Sequence, residues 1–235
     1  MMRNTKLVFI DGLPGLGKTT TTYALHSRLR TEGVKAKMYE EHASRHPLNA
    51  GGRFHPAGNT PGDQFFKRYT SEKFTRESLN RWQKYIHSAV KSSSITVLDS
   101  YPFQNSVRVL LQLDADPGSI QTYASQVETM ISPLQPVLIY FNHPDPSSAL
   151  NQLSKIGAQR GQAWMDYAVA LITHCPYCIA RGLVGLEGAM TFMMAYKQMI
   201  DTLLGSSQVP RLVLENCGGN WDECYQNIER FLGLA

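Results

Sequence analysis

The chain has 235 residues, of which 43% are hydrophobic and 18% are charged, and its formal net charge is +4. This length suits a single α/β domain over 1–235, and the apolar fraction excludes wholesale disorder. The small positive charge is compatible with an anionic ligand but too weak to indicate a nucleic-acid partner. No apolar run reaches the roughly 18 residues of a membrane span. The run over 7–10 is too short for a signal peptide, so we expect a cytoplasmic protein without a membrane partner.

Five short segments have the character of β-strands, over 7–10, 34–39, 95–98, 137–141 and 212–214. Four of them are short apolar runs, which are typical of strands covered on both faces. The segment over 34–39 instead alternates apolar and polar residues, as a strand at a sheet edge does when one face meets water.

Helical patterns separate these strands and cover residues from Lys18 to Gly33, 79–90, 188–204 and 221–232, with a further start at Asp145. This alternation predicts a parallel sheet with helices on both faces, and ligands of such folds bind beyond the carboxyl ends of the strands. The stretch over 43–63 is rich in Gly and Pro and is predicted to be a long loop, and long loops in compact domains tend to be functional or mobile. His46 and His55 lie within it and are expected at the surface, with contact to the substrate on closure of the loop as the alternative.

A glycine-rich loop follows the first predicted strand and matches the pattern G-x-x-x-x-G-K-[ST] completely. Its residues, with the threonine that follows, are Gly12, Leu13, Pro14, Gly15, Leu16, Gly17, Lys18, Thr19 and Thr20. Glycines let the backbone N–H groups wrap around phosphate, and the next helix adds its positive end. The lysine would reach the β- and γ-phosphates and the first threonine would bind Mg²⁺. The loop therefore predicts a nucleoside triphosphate, with ATP and Mg²⁺ as cofactors.

Charged side chains follow other strand ends. Asp99 ends the third strand, where a carboxylate can hold the Mg²⁺ shell or orient the attacking group. Glu40 and Glu41 end the second, and either could accept a proton from a substrate hydroxyl. Arg160 lies in a small-residue segment over 155–163 that could close over the phosphates as a lid.

The chain resembles the thymidylate-kinase branch of the P-loop nucleoside and nucleotide kinases. The resemblance rests on the loop FIDGLPGLGKTTT, the acidic pair after the second strand, a helix with Arg76 and Arg81, the strand end DSYPFQNS and the helix start DPSSAL. It implies the three-layer sandwich of P-loop NTPases, with a five-stranded parallel sheet and a small lid. It also implies that the lysine and hydroxyl of the loop bind phosphates and Mg²⁺.

One position departs from that family. The family usually has arginine directly after the strand-end aspartate, and Ser100 stands there in this chain, so Arg108 is a candidate replacement. This departure leaves room for an uncharged hydroxyl acceptor.

Together these features predict an ATP- and Mg²⁺-dependent phosphotransferase acting on a nucleoside, a nucleotide or a hydroxyl-bearing metabolite. The predicted catalytic residues are Lys18, Asp99, Glu40, Glu41 and Arg160, with Thr19 and Asp99 at the metal. A regulatory nucleotide-binding protein that hydrolyses ATP slowly is the alternative, and a homodimer is left open. A polynucleotide 5′-kinase has little support from the modest charge.

The four cysteines are too few for a disulfide scaffold, and in a reducing cytosol we expect four thiols. Cys175 and Cys178 form a C-P-Y-C sequence like the glutaredoxin motif, but that motif should follow the first strand of a βαβ unit, and here it follows helical sequence. We interpret it as a structural pair of thiols. A redox-sensitive disulfide and a zinc site that adds Cys217, Cys224 or His174 are the alternatives.

Overall fold

A computed structural model of the chain describes residues 4–41, 43, 45–49, 62–143, 161–215, 217 and 220–234. The described part of the chain contains five strands, β1 (Leu7–Gly12), β2 (Ala36–Tyr39), β3 (Ile95–Asp99), β4 (Val137–Asn142) and β5 (Arg211–Glu215). They form one parallel sheet in the order β2-β3-β1-β4-β5. The predicted parallel sheet and the edge position of β2 are confirmed.

The described helices are α1 (Lys18–Thr31), α2 (Gly62–Arg68), α3 (Ser71–Lys91), α4 (Arg108–Gln112), α5 (Pro117–Ile131), α6 (Gln162–Thr173), α7 (Pro176–Ala180), α8 (Gly185–Ser206) and α9 (Trp221–Leu232). A π-helical turn (Phe103–Val107) precedes α4, and a 3₁₀ turn (Ser132–Leu134) follows α5.

Local signals explain several helix ends. The side chains of Thr70, Asp116 and Asn220 cap α3, α5 and α9 by accepting hydrogen bonds from backbone N–H groups of the first turn. The predicted start of α1 at Lys18 and the bounds of α9 are confirmed. The predicted helix over 79–90 is part of the longer α3, and the helix start at Asp145 lies outside the described residues.

The core has two layers because side chains of a strand point alternately to opposite faces of the sheet. On one face Phe9, Leu98 and Leu138 pack with buried side chains of α3, α5 and α8. On the other face Val8 and Ile10 pack with buried side chains of α1 and α9. Helices therefore cover both faces of the sheet, as predicted. No helix in the described part of the chain is both long enough and apolar enough to cross a membrane.

The cysteines divide into two different pairs. Cys175 and Cys178 are buried free thiols at the start of α7. Cys217 and Cys224 form a disulfide, so the expectation of four thiols is wrong. The chain turns from β5 into α9 between these two residues, which brings their Cα atoms to 6.0 Å. That separation lies within the usual range for a disulfide.

Candidate functional site

The glycine-rich loop leaves the carboxyl end of β1 and lies between β4 and α9. Gly12 has a φ of +147°, and a Cβ atom there would lie 2.2 Å from the carbonyl oxygen of Phe141 in β4. Gly17 has a φ of +86°, and its Cβ would lie 2.2 Å from the ring of Trp221 in α9. Only glycine fits at these two positions, because a larger residue would meet both a strained backbone and a close neighbour.

Lys18 is the first residue of α1 and is buried against the loop. Its Nζ atom donates a hydrogen bond to the carbonyl oxygen of Leu13 at 2.9 Å, within the loop itself. Burial lowers the pKa of Lys18, and attraction to Asp11, Glu41 and Asp99 counteracts this effect. The lysine therefore shares its electrostatic environment with three carboxylates from three strand ends.

The two predicted metal-binding residues contact each other. The hydroxyl of Thr19 donates to Oδ2 of Asp99 at 2.7 Å, and Ser100 donates to Oδ1 at 3.1 Å. Burial raises the pKa of Asp99, which the hydrogen bond from Thr19 and the charge of Lys18 oppose. Thr20, next along α1, is exposed.

This donor set suits Mg²⁺. It offers a hydroxyl and a carboxylate oxygen side by side, and Mg²⁺ is usually held by one or two protein oxygens together with water and phosphate. Within the described ranges, no group of three or more His, Cys, Asp or Glu side chains is arranged to hold a metal ion.

Glu40 and Glu41, which the sequence could not distinguish, have different partners in the structure. Glu41 accepts a hydrogen bond from Nε2 of Gln104 at 2.9 Å and forms an ion pair with Arg108 at 3.9 Å. Glu40 instead accepts a hydrogen bond from the hydroxyl of Tyr23, on the exposed side of α1. Glu41 is therefore the member of the pair that faces Lys18 and Asp99.

Arg108, named above as a candidate replacement for the missing arginine, lies at this same edge of the sheet. It begins α4 directly after the π-helical turn, and its guanidinium group points at Glu41. Ser100, where the family has arginine, is buried with a φ of +62°. Arg160 and residues 155–159 of the predicted lid lie outside the described residues, as do His55 and most of the loop over 43–63.

Asp11 is a site residue that the sequence analysis missed. Its carboxylate accepts hydrogen bonds from the backbone N–H groups of Gly12 at 2.7 Å, Phe103 at 2.5 Å and Gln104 at 3.3 Å. Burial raises its pKa to about 7, although Lys18 and these three N–H groups act in the opposite direction. The available signal was an acidic residue at the end of a wholly apolar run, directly before the loop.

His46 is buried, so its expected surface position is wrong. Its ring stacks on Tyr101 with centroids 4.8 Å apart, and its Nδ1 atom accepts hydrogen bonds from the backbone of Leu48 and Asn49. The backbone oxygen of Glu41 in turn accepts a hydrogen bond from the Asn49 side chain at 2.7 Å. The described part of the loop thus packs beside Glu41.

Comparison of the sequence with models of known protein families gives no match, and comparison with curated proteins also gives none.

Proposed function

We propose that the protein is an ATP- and Mg²⁺-dependent phosphotransferase that moves the γ-phosphate to a hydroxyl group of a small-molecule acceptor. The observation that carries this proposal is the meeting of Lys18, the Thr19–Asp99 pair and Glu41 at the carboxyl ends of β1, β2 and β3. Parallel α/β sheets bind their ligands at this edge. The glycine-rich loop and the sheet order support the three-layer fold of P-loop NTPases.

Each residue has a separate role in this reaction. Backbone N–H groups of the loop and the Nζ atom of Lys18 bind the phosphates and neutralise the charge that develops during transfer. Thr19 and Asp99 would hold Mg²⁺, which when bound neutralises charge on the β- and γ-phosphate oxygens. Glu41 accepts the proton of the acceptor hydroxyl as a general base.

The chemistry of the acceptor follows from the neighbours of Glu41. Arg108 forms an ion pair with Glu41, the carboxylate assigned to accept the proton of the acceptor hydroxyl. A hydroxyl-bearing acceptor, either a nucleoside, a nucleotide or another small metabolite, is compatible with this arrangement.

The experiment compares two neighbouring carboxylates. The protein is incubated with Mg²⁺, ATP and a panel of nucleosides, nucleotides and small alcohols, and ADP formation is measured. We expect acceptor-stimulated turnover that Lys18→Ala abolishes and that Glu41→Gln lowers by about 100-fold or more, the usual contribution of a general base. Glu40→Gln is the matched control and should stay within about threefold of wild type, because Glu40 contacts Tyr23 on the exposed side.

Two results would contradict the proposal. Absence of ADP formation with every acceptor would exclude this reaction for the compounds tested, and equal effects of the two glutamine variants would exclude Glu41 as the base. ATP hydrolysis that no acceptor stimulates would instead favour a regulatory nucleotide-binding protein.

A further inference from the structure

The carboxylate of Asp11 joins two segments that are far apart in the sequence. Its Oδ1 atom binds the N–H group of Gly12, where the glycine-rich loop begins. Its Oδ2 atom binds the N–H groups of Phe103 and Gln104, where the π-helical turn begins. One buried side chain therefore fixes the start of the loop against the start of the turn.

Two side chains that contact the carboxylate of Glu41 lie on the segment that Asp11 anchors. Gln104 is in the π-helical turn and donates to Oε2 of Glu41, and Arg108 directly follows the turn and pairs with Oε1. A shift of the turn would move Gln104 and Arg108 together relative to Glu41. π-Helical turns inside α-helical segments are often found at functional sites.

We propose that Asp11 is a positioning residue that sets the placement of Glu41 relative to the glycine-rich loop, acting through the π-helical turn and Gln104. This inference rests on the proposed function, in which Glu41 receives the acceptor proton. Asp11 itself touches neither donor nor acceptor in this scheme. Its carboxylate has two acceptor oxygens for three N–H groups, whereas an asparagine would present an NH₂ group to one of the two segments.

A purely structural role of Asp11 makes a different prediction. If Asp11 only supported the loop, its replacement would weaken ATP binding and would leave the Gln104–Glu41 contact intact. If Asp11 positions Glu41, replacement should disturb that contact and slow turnover, while the affinity for ATP is largely kept.

The first measurement needs no acceptor. In ¹⁵N-labelled protein, the side-chain NH₂ signals of Gln104 are identified by their loss in Gln104→Met. We expect Glu41→Gln and Asp11→Asn to shift these signals, because both changes alter the contact that Gln104 makes. Asp201→Asn, which makes the same substitution at an exposed residue of α8, should leave them in place. Unchanged Gln104 signals in folded Asp11→Asn would overturn the inference.

The second measurement uses the acceptor found in the panel. We expect Asp11→Asn and Gln104→Met each to lower kcat by about tenfold with the KM for ATP within about threefold of wild type, and the double variant to add little because both act along one path. If Asp11→Asn does not fold, Gln104→Met still decides: full kcat in that variant overturns the inference. Failure to find an acceptor counts against the proposed function, whereas the NMR result tests Asp11 separately.

Discussion

Lys18, Asp11 and Asp99 all lie in surroundings that disfavour the charged form of their side chains. Burial lowers the pKa of the lysine and raises the pKa of both carboxyl groups, and their mutual attraction opposes these shifts. The charge on each therefore depends on the others. Substitutions among these three residues are expected to be non-additive.

A pH dependence of stability follows from Asp11. Its pKa is about 7 in the folded protein and about 3.8 in the unfolded chain, so the folded state holds more protons between these values. Stability should therefore fall as pH rises from about 4 to about 7, by up to about 4 kcal/mol from this residue. Asp11→Asn should flatten the dependence in urea unfolding at a series of pH values.

The titratable groups around Asp11 determine which other residues can change the stability between about pH 4 and about pH 7. Lys18 faces it from α1. Tyr101 in the turn after β3, Tyr140 in β4 and Tyr196 in α8 also interact with it, and each of these tyrosines has a pKa raised above its ordinary value of 10. The pKa values of the three tyrosines lie above 10, so these groups do not titrate between pH 4 and 7. Burial raises the pKa of Asp99, so Asp99 acts in the same direction as Asp11. Burial lowers the pKa of Lys18, so a change in its protonation acts in the opposite direction. A pH profile of Asp11→Asn that matches wild type would contradict this assignment.

At the level of elements, the start of α9 packs against the glycine-rich loop. Its first residue, Trp221, lies over Gly17 and beside Phe141 of β4. The disulfide between Cys217 and Cys224 fixes the first turn of α9 to the end of β5. The end of α9 that packs against Gly17 is therefore cross-linked to the segment that follows β5.

Removal of this disulfide should destabilise the protein without changing its fold. The bridged residues are seven positions apart, and closing so short a loop contributes about 2 kcal/mol. We expect Cys217→Ser/Cys224→Ser to lower the free energy of unfolding by about this amount in denaturant titrations. Adding a reductant should lower the stability of wild type in the same way and leave the variant unchanged. Equal stability of oxidised wild type and the variant would show that the bridge contributes nothing.

At the scale of the whole molecule, the parallel sheet gathers residues that are remote in the chain. Thr19 contacts Asp99 across 80 positions, Asp11 contacts Phe103 across 92, and Gln104 contacts Glu41 across 63. All these contacts lie at one edge because parallel strands end on the same side. A ligand that binds there bridges several elements and should stabilise the whole domain.

Thermal unfolding can test this coupling. ATP with Mg²⁺ at 100 times its Kd should add about 2.7 kcal/mol of stability and raise Tm by about 5–10 °C in a chain of this length. Removal of Mg²⁺ with EDTA should reduce the rise, and Asp99→Asn should remove most of the Mg²⁺-dependent part. An equal rise of Tm in Lys18→Ala would contradict binding at the loop.

The sequence by itself determined the strands, the parallel α/β class, the edge position of β2 and the start of α1 at Lys18. It also singled out Thr19 and Asp99, which contact each other in the structure. These features are encoded locally. Apolar runs, alternation, capping residues and glycine spacing each act over a few neighbouring positions.

Only the tertiary structure decided which glutamate faces Lys18, that Asp11 binds the turn at Phe103, that His46 is buried and that Cys217 pairs with Cys224. Glu40 and Glu41 are chemically identical side chains at adjacent positions, so the local sequence around them is nearly the same. Their environments differ because segments from elsewhere in the chain pack against one and not the other. Distances between remote segments are a property of the folded chain, and no local pattern contains them.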